Sequence, residues 1–152
     1  MAETALTNDA VQGVVRLSRQ VEIILAEHQL SVSQFRLLDR LAGGRAAGRS
    51  LAEWLAVKPP SITALVDGLV QRGLVDRGVD PSDRRRVNHA LTAEGRTLLD
   101  TASRSLASRL SELAGQLSDE ALGREMVHGL AGWNEAIDRA AIQADLEPAT
   151  SS

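Results

Sequence analysis

Apolar residues at Val11, Val14, Val15, Leu17, Val21, Ile24 and Leu25 recur every three to four positions. That is the period of one helical face, and it predicts a helix over about residues 9–28. Ser31-Val32-Ser33-Gln34 then reads as a capping box, the hydroxyl accepting from an orphan amide while the glutamine reaches back. A second helix with Phe35, Leu37, Leu38 and Leu41 on its apolar side runs to Gly43-Gly44, where glycine takes a left-handed stop. Ser50-Leu51-Ala52-Glu53 repeats the box and opens a short third helix through about Val57. Lys58-Pro59-Pro60 interrupts it, and Pro60 suits the first turn of a new helix because its missing donor costs nothing there. That fourth helix, Ser61 to Gln71, sets Ile62, Leu65, Val66 and Leu69 on one side, with Ser61, Thr63, Ala64, Asp67 and Gly68 on the other. Gly73 ends it.

The pattern then changes. Leu74 to Arg77 reads as a strand and Val87 to Leu91 as its partner, with Val87, His89 and Leu91 on one parity. DPSDRRR at 80–86 between them is a polar, basic hairpin loop. Two short helices with a tight break, followed by a basic hairpin, make a winged helix. Beyond it, Thr92 caps a helix carrying Leu98, Leu99, Ala102, Leu106, Leu110, Leu113 and Leu117. Ser118-Asp119-Glu120 opens a last helix with a hydroxyl cap and acids at the positive dipole end. Its seam is Leu122, Met126, Leu130, Trp133, Ile137 and Ala140 or Ala141. The long helices carry more apolar face than the small winged module can cover, and a second copy of the chain is the economical cover.

The expected fold class is therefore mainly α with a small β-hairpin wing (α+β), a winged helix-turn-helix with long flanking dimerisation helices. Residues 1–30 and 92–145 form the helical dimerisation region, 31–91 the DNA-binding region, and 146–152 a disordered tail.

Composition narrows the function classes. At 152 residues the chain is one domain's worth. The absence of cysteine removes disulfides, thiolate zinc sites, cysteine nucleophiles and thiol redox sensing. MAETALTNDA has no basic patch or long apolar run, and no later stretch approaches 18 uninterrupted apolar residues, so a cytoplasmic protein without a membrane partner is expected. Sixteen arginines against the single Lys58 reflect codon bias before nucleic-acid binding. The net charge of −3 conceals a division: residues 45–96 hold nine basic and six acidic groups, the remainder eight and fourteen. A basic middle between acidic ends suits a polyanion on one surface.

The run Ser61-Ile62-Thr63 with Leu65-Val66-Asp67 and Leu69, RGLVDRG at 72–78, DPSDRRR at 80–86 and LTAEG at 91–95 resembles the MarR family. These are multiple antibiotic resistance-type transcription regulators, and the resemblance covers essentially the whole chain. It implies a homodimer held by the first and the last two helices, with a winged helix in each subunit on a pseudo-palindromic operator in double-stranded DNA. It also implies a repressor released by a small anionic or phenolic effector near the junction of dimer and winged helix.

The recognition helix is then Pro60 to Gln71, with Ser61, Thr63 and Ala64 meeting base edges. Family members often carry a basic residue where this chain has Ala64 and a larger polar one where it has Gly68. Specificity here leans instead on the wing, thymine methyls and DNA shape. By the family pattern Arg85 enters the minor groove, Asp83 orients it, and Arg84 or Arg86 meets phosphates. The bland alternatives are helix capping for Ser61 and Thr63 and a solvated charged turn for the arginines. Lys58 and Arg77 are phosphate contacts, although Arg77 equally suits pairing with Asp76 or Asp80.

His28, His89 and His128 lack the spacing of a zinc site, so neither metal nor cofactor is expected. Trp54 and Trp133 read as core before ligand stackers. Guesses for an effector pocket are Val14, Leu17, Val21 and Trp54. No nucleophile–base pair, carboxylate dyad or metal cluster supports an enzyme. The competing reading is a winged-helix dimer for protein contact, its base readout lost at Ala64 and Gly68.

Overall fold

A computed structural model of the chain describes residues 8–79 and 87–146. The elements are α1 (Asn8–Glu27), α2 (Val32–Ala42), β1 (Ala46–Ala47), α3 (Gly48–Leu55), α4 (Pro59–Gln71), β2 (Val75–Val79), β3 (Val87–Leu91), α5 (Ala93–Ala114) and α6 (Glu120–Leu146). The fold is mostly helical with a small antiparallel sheet in the order β1-β3-β2, the α+β class expected. The tail from 147 onward lies outside the described residues.

Local chemistry starts and stops the helices, not always where the sequence suggests. Ser31 Oγ accepts from the Gln34 amide at 3.1 Å, and the Gln34 side chain accepts from the Ser31 amide at 2.9 Å, completing the first capping box. The second box does not form. α3 begins at Gly48 with Ala47 as a cap lacking any side-chain bond, which places Ser50 inside the helix. Glu53 instead accepts from Arg49 one turn earlier at 2.9 Å. The cause is nonlocal: Ala46 and Ala47 pair with His89 and Asn88, and this unforeseen strand sets the helix start. α3 also ends two residues early, at Leu55, because Ala56 turns left-handed (φ 53°) ahead of the prolines.

Gly43 keeps a right-handed φ of −77°, so it is not the left-handed stop; Gly44 has the positive φ, 135°. At α6 the cap is the Asp119 carboxylate, accepting from the Ala121 and Leu122 amides at 2.9 and 3.2 Å, rather than the Ser118 hydroxyl. α5 stops at Ala114, leaving Leu117 outside the helix.

The chain divides into two compact units, residues 1–106 and 107–152. In the first, Leu25, Leu37, Leu38, Leu51, Val66 and Leu69 are almost wholly buried and join α1 through α4 to β2 and the start of α5. Each such side chain contributes roughly 1.5–3 kcal/mol by leaving water. In the second, the α6 seam is exposed in the single chain: Leu122, Met126, Leu130, Trp133 and Ile137 are 38–61% accessible. Trp133 is thus not core here, nor is Trp54, which is 43% exposed with the Arg36 guanidinium 5.1 Å above its ring.

One corner organises the winged module. Thr92 Oγ1 accepts from the Gly95 amide (2.9 Å) and donates to the Gly73 carbonyl (2.8 Å), while the Thr92 amide donates to Leu74 O (3.2 Å). This seats the first turn of α5 so tightly that a Cβ on Gly95 would stand 2.1 Å from Leu74 O. That contact accounts physically for the glycine in LTAEG. Gly95→Ala is expected to cost about 1–3 kcal/mol through forced backbone displacement. Gly68→Ala, with nothing within 4 Å, is expected to gain up to about 1 kcal/mol in helix propensity. Thermal unfolding of the two variants checks both signs.

Candidate nucleic-acid interface

The face of α4 opposite the core is built from small and polar side chains. Ile62, Val66 and Leu69 are buried and Leu65 half-buried, whereas Ser61, Thr63, Ala64 and Asp67 are exposed. Lys58 is the N-cap in extended conformation, with prolines at the first two helical positions. Pro59 and Pro60 have no amide hydrogen, and the Ser61 and Ile62 amides both donate to Lys58 O, at 2.9 and 3.2 Å. The start of α4 therefore offers a helix dipole without open backbone donors. An anion there is met by side chains, with Lys58 and Ser61 nearest along the chain.

The wing strands differ from expectation in one respect. Among the described residues the Arg77 guanidinium donates not to Asp76 but to the carboxylate of Asp67 on α4; Asp80 lies outside the described residues. Arg77 stands opposite His89 in the ladder, and its parity is that of buried Val75. His89 is 7% exposed, and its Nδ1–H donates to Ala46 O at 3.3 Å. Burial lowers the imidazole pKa from its ordinary 6.5, the nearby Arg77 cation acts in the same direction, and the Ala46 hydrogen bond opposes them.

Of the expected contacts, Lys58, Ser61, Thr63 and Ala64 gather at the N-terminal half of α4, while Arg77 is drawn toward Asp67. Asp83, Arg84, Arg85 and Arg86 lie outside the described residues. Val14 is exposed on α1, Leu17 is half-buried, and Val21 packs against the core. An open groove of about 790 Å³ between α3 and α4 has Arg49, Ala52, Ala56, Val57, Ile62 and Thr63 in its lining; none of Val14, Leu17, Val21 and Trp54 borders it. Among the described residues no three metal-ligating side chains converge, and no helix is long and apolar enough to cross a membrane. Sequence reasoning missed the role of Asp67. The signal was present: Arg77 shares the inward parity of Val75, and Asp67 is the only acid on α4.

Residues 28–86 match the family model described as MarR family. An HTH-type transcriptional regulator of Mycobacterium bovis is 34% identical over 117 residues, 74% of this chain and 82% of its own. The chain belongs to the MarR family. The transcriptional regulator FarR of Neisseria gonorrhoeae is 30% identical, covering 76% of each chain. Among solved structures, the repressor CouR bound to a 23-mer DNA duplex superposes with a TM-score of 0.69 at 28% identity, over 91% of this chain and 96% of that one. Wild-type MarR of E. coli shares the fold at a TM-score of 0.68 and 22% identity, over 85% and 98% of the two chains. As a MarR-family protein, the chain is a winged helix-turn-helix transcription regulator that binds DNA.

The buried imidazole of this MarR-family chain sets an acid limit on stability. With the folded pKa below 6.5, the stabilisation is complete above the unfolded value. It is lost as pH falls from about 6.5 through the folded pKa, because the unfolded chain takes the proton first. Asn at this position can still donate to Ala46 O but does not titrate. His89→Asn is therefore expected to flatten the decline in urea midpoint between pH 7.5 and 5.5 relative to the wild type.

Proposed function

We propose that the chain acts as a homodimeric repressor on a pseudo-palindromic operator, released by a small anionic or phenolic ligand and without enzymatic activity. The observation that carries the reading is α4 itself, which buries Ile62, Val66 and Leu69 while leaving Ser61, Thr63 and Ala64 open. Hydroxyls and a methyl at these positions suit major-groove edges and thymine methyls without bidentate guanine contacts. The remaining discrimination falls to DNA shape and to Arg85 in a narrow minor groove, with Asp83 orienting it and Arg84 and Arg86 on phosphates. Lys58 serves as a further phosphate contact.

Support for the dimer comes from the single chain's apolar faces. Val11, Val14 and Val15 on α1 and Met126, Trp133 and Ile137 on α6 are each 45% or more exposed, and a second copy would remove them from water. In this assignment residues 1–30 and 92–145 are the dimerisation region and 31–91 the DNA-binding region. The α3–α4 groove borders Thr63, so a ligand there would compete with the DNA-reading face.

Fluorescence anisotropy with labelled duplex from upstream of the gene, beside a scrambled duplex and across a salt series, tests the proposal. Selective binding at about 10 nM or tighter, falling steeply with salt, is expected. Arg85→Ala is expected to lower affinity about tenfold with the dimer intact by light scattering. Weak, equal binding of both duplexes would instead favour a winged-helix dimer used for protein contact.

A further inference from the structure

The geometry points to Asp67 and Arg77 as positioning residues that lock the first wing strand to the recognition helix, rather than as a repulsive acid and a phosphate contact. The inference rests on the DNA-binding reading above. Three observations carry it.

First, Arg77 occupies the inner face of the hairpin. It shares the parity of Val75, which is 1% exposed, and stands opposite buried His89, while Asp76 and Gly78 take the other face. An arginine rooted on the packed side must run its stem along the sheet, and its head emerges at α4. Second, the head is engaged: the guanidinium donates to Asp67. Third, Asp67 is the only acid on α4 and lies one turn beyond Thr63 on the exposed face. A lone carboxylate on a helix that approaches DNA would repel phosphates, and pairing with Arg77 removes that cost. The pair is half-exposed, with side chains 42% and 53% accessible, so its value to stability is small. Its value lies in orientation, because it joins strand and helix across the α4–β2 corner, and both elements approach the duplex.

The two roles predict opposite signs. If Asp67 is merely an acid near DNA, Asp67→Asn tightens binding. If it positions β2, the same change weakens binding. A phosphate-contacting Arg77 lowers the slope of log affinity against log salt by about one when replaced; a positioning Arg77 leaves the slope unchanged. The experiment is a double-mutant cycle of Asp67→Asn and Arg77→Gln on operator affinity across a salt series, with hydrogen exchange of the β2 amides measured without DNA. Each single variant is expected to weaken binding about fivefold, and the double by no more than either, with the wild-type salt slope kept and β2 exchange faster in all three. Tighter or unchanged binding by Asp67→Asn overturns the inference, as does a slope reduced by one in Arg77→Gln with additive losses. Should the wild type fail to discriminate duplexes, the functional reading fails separately. Exchange then decides alone: unchanged β2 exchange in Asp67→Asn removes the lock, and faster exchange that is not additive in the double variant establishes it.

Discussion

The Leu74 carbonyl accepts the Thr92 amide and rests against Gly95, one residue after the amide of Gly73 has closed the end of α4 on Val70 O. Within these few atoms the recognition helix stops, β2 starts, β3 ends and α5 begins. The corner has no slack, since even a methyl group on Gly95 would collide with backbone. Packed joints of this kind do not deform continuously. A displacement of the first turn of α5 is therefore carried to the α4–β2 junction rather than absorbed between them.

The charges of the winged module follow a related logic. Arg49 bonds Glu53, Arg72 donates to Gln29 O at 2.7 Å, Arg96 reaches Ala42 O at 3.3 Å, and Arg77 holds Asp67. Four arginines of this region are thus engaged internally, Arg49 within α3 and the other three between elements. The recognition helix itself presents hydroxyls, a methyl and a neutralised acid. In the proposed reading, such a surface leaves discrimination chiefly to the shape and deformability of the duplex.

Legibility in the sequence followed the range of the interactions. The helical periods, the capping box at Ser31 and Gln34, the buried and open faces of α4 and the span Val87–Leu91 are local, and the structure bears them out. The box at Ser50 has the same residue types at the same spacing yet does not form, because pairing of Ala46 and Ala47 with β3 starts the helix earlier. A two-residue strand of alanines has no local signature. Trp54 sits at helical spacing, but which flank of α3 meets the core is decided by the packing of α2, and it leaves the indole outside beneath Arg36. Of the candidate contacts, the α4 group was readable from the helical period. The partner of Arg77 required knowing which element the inner face of the hairpin packs on.

The paired prolines at the head of α4 carry a further consequence. Their rings fix φ before the chain folds, so the opening turn of this helix has little freedom left to lose. In the proposed complex, the opening turn of α4 would therefore dock already formed, with little ordering left to it. In that complex this turn contributes little to the heat-capacity change on association.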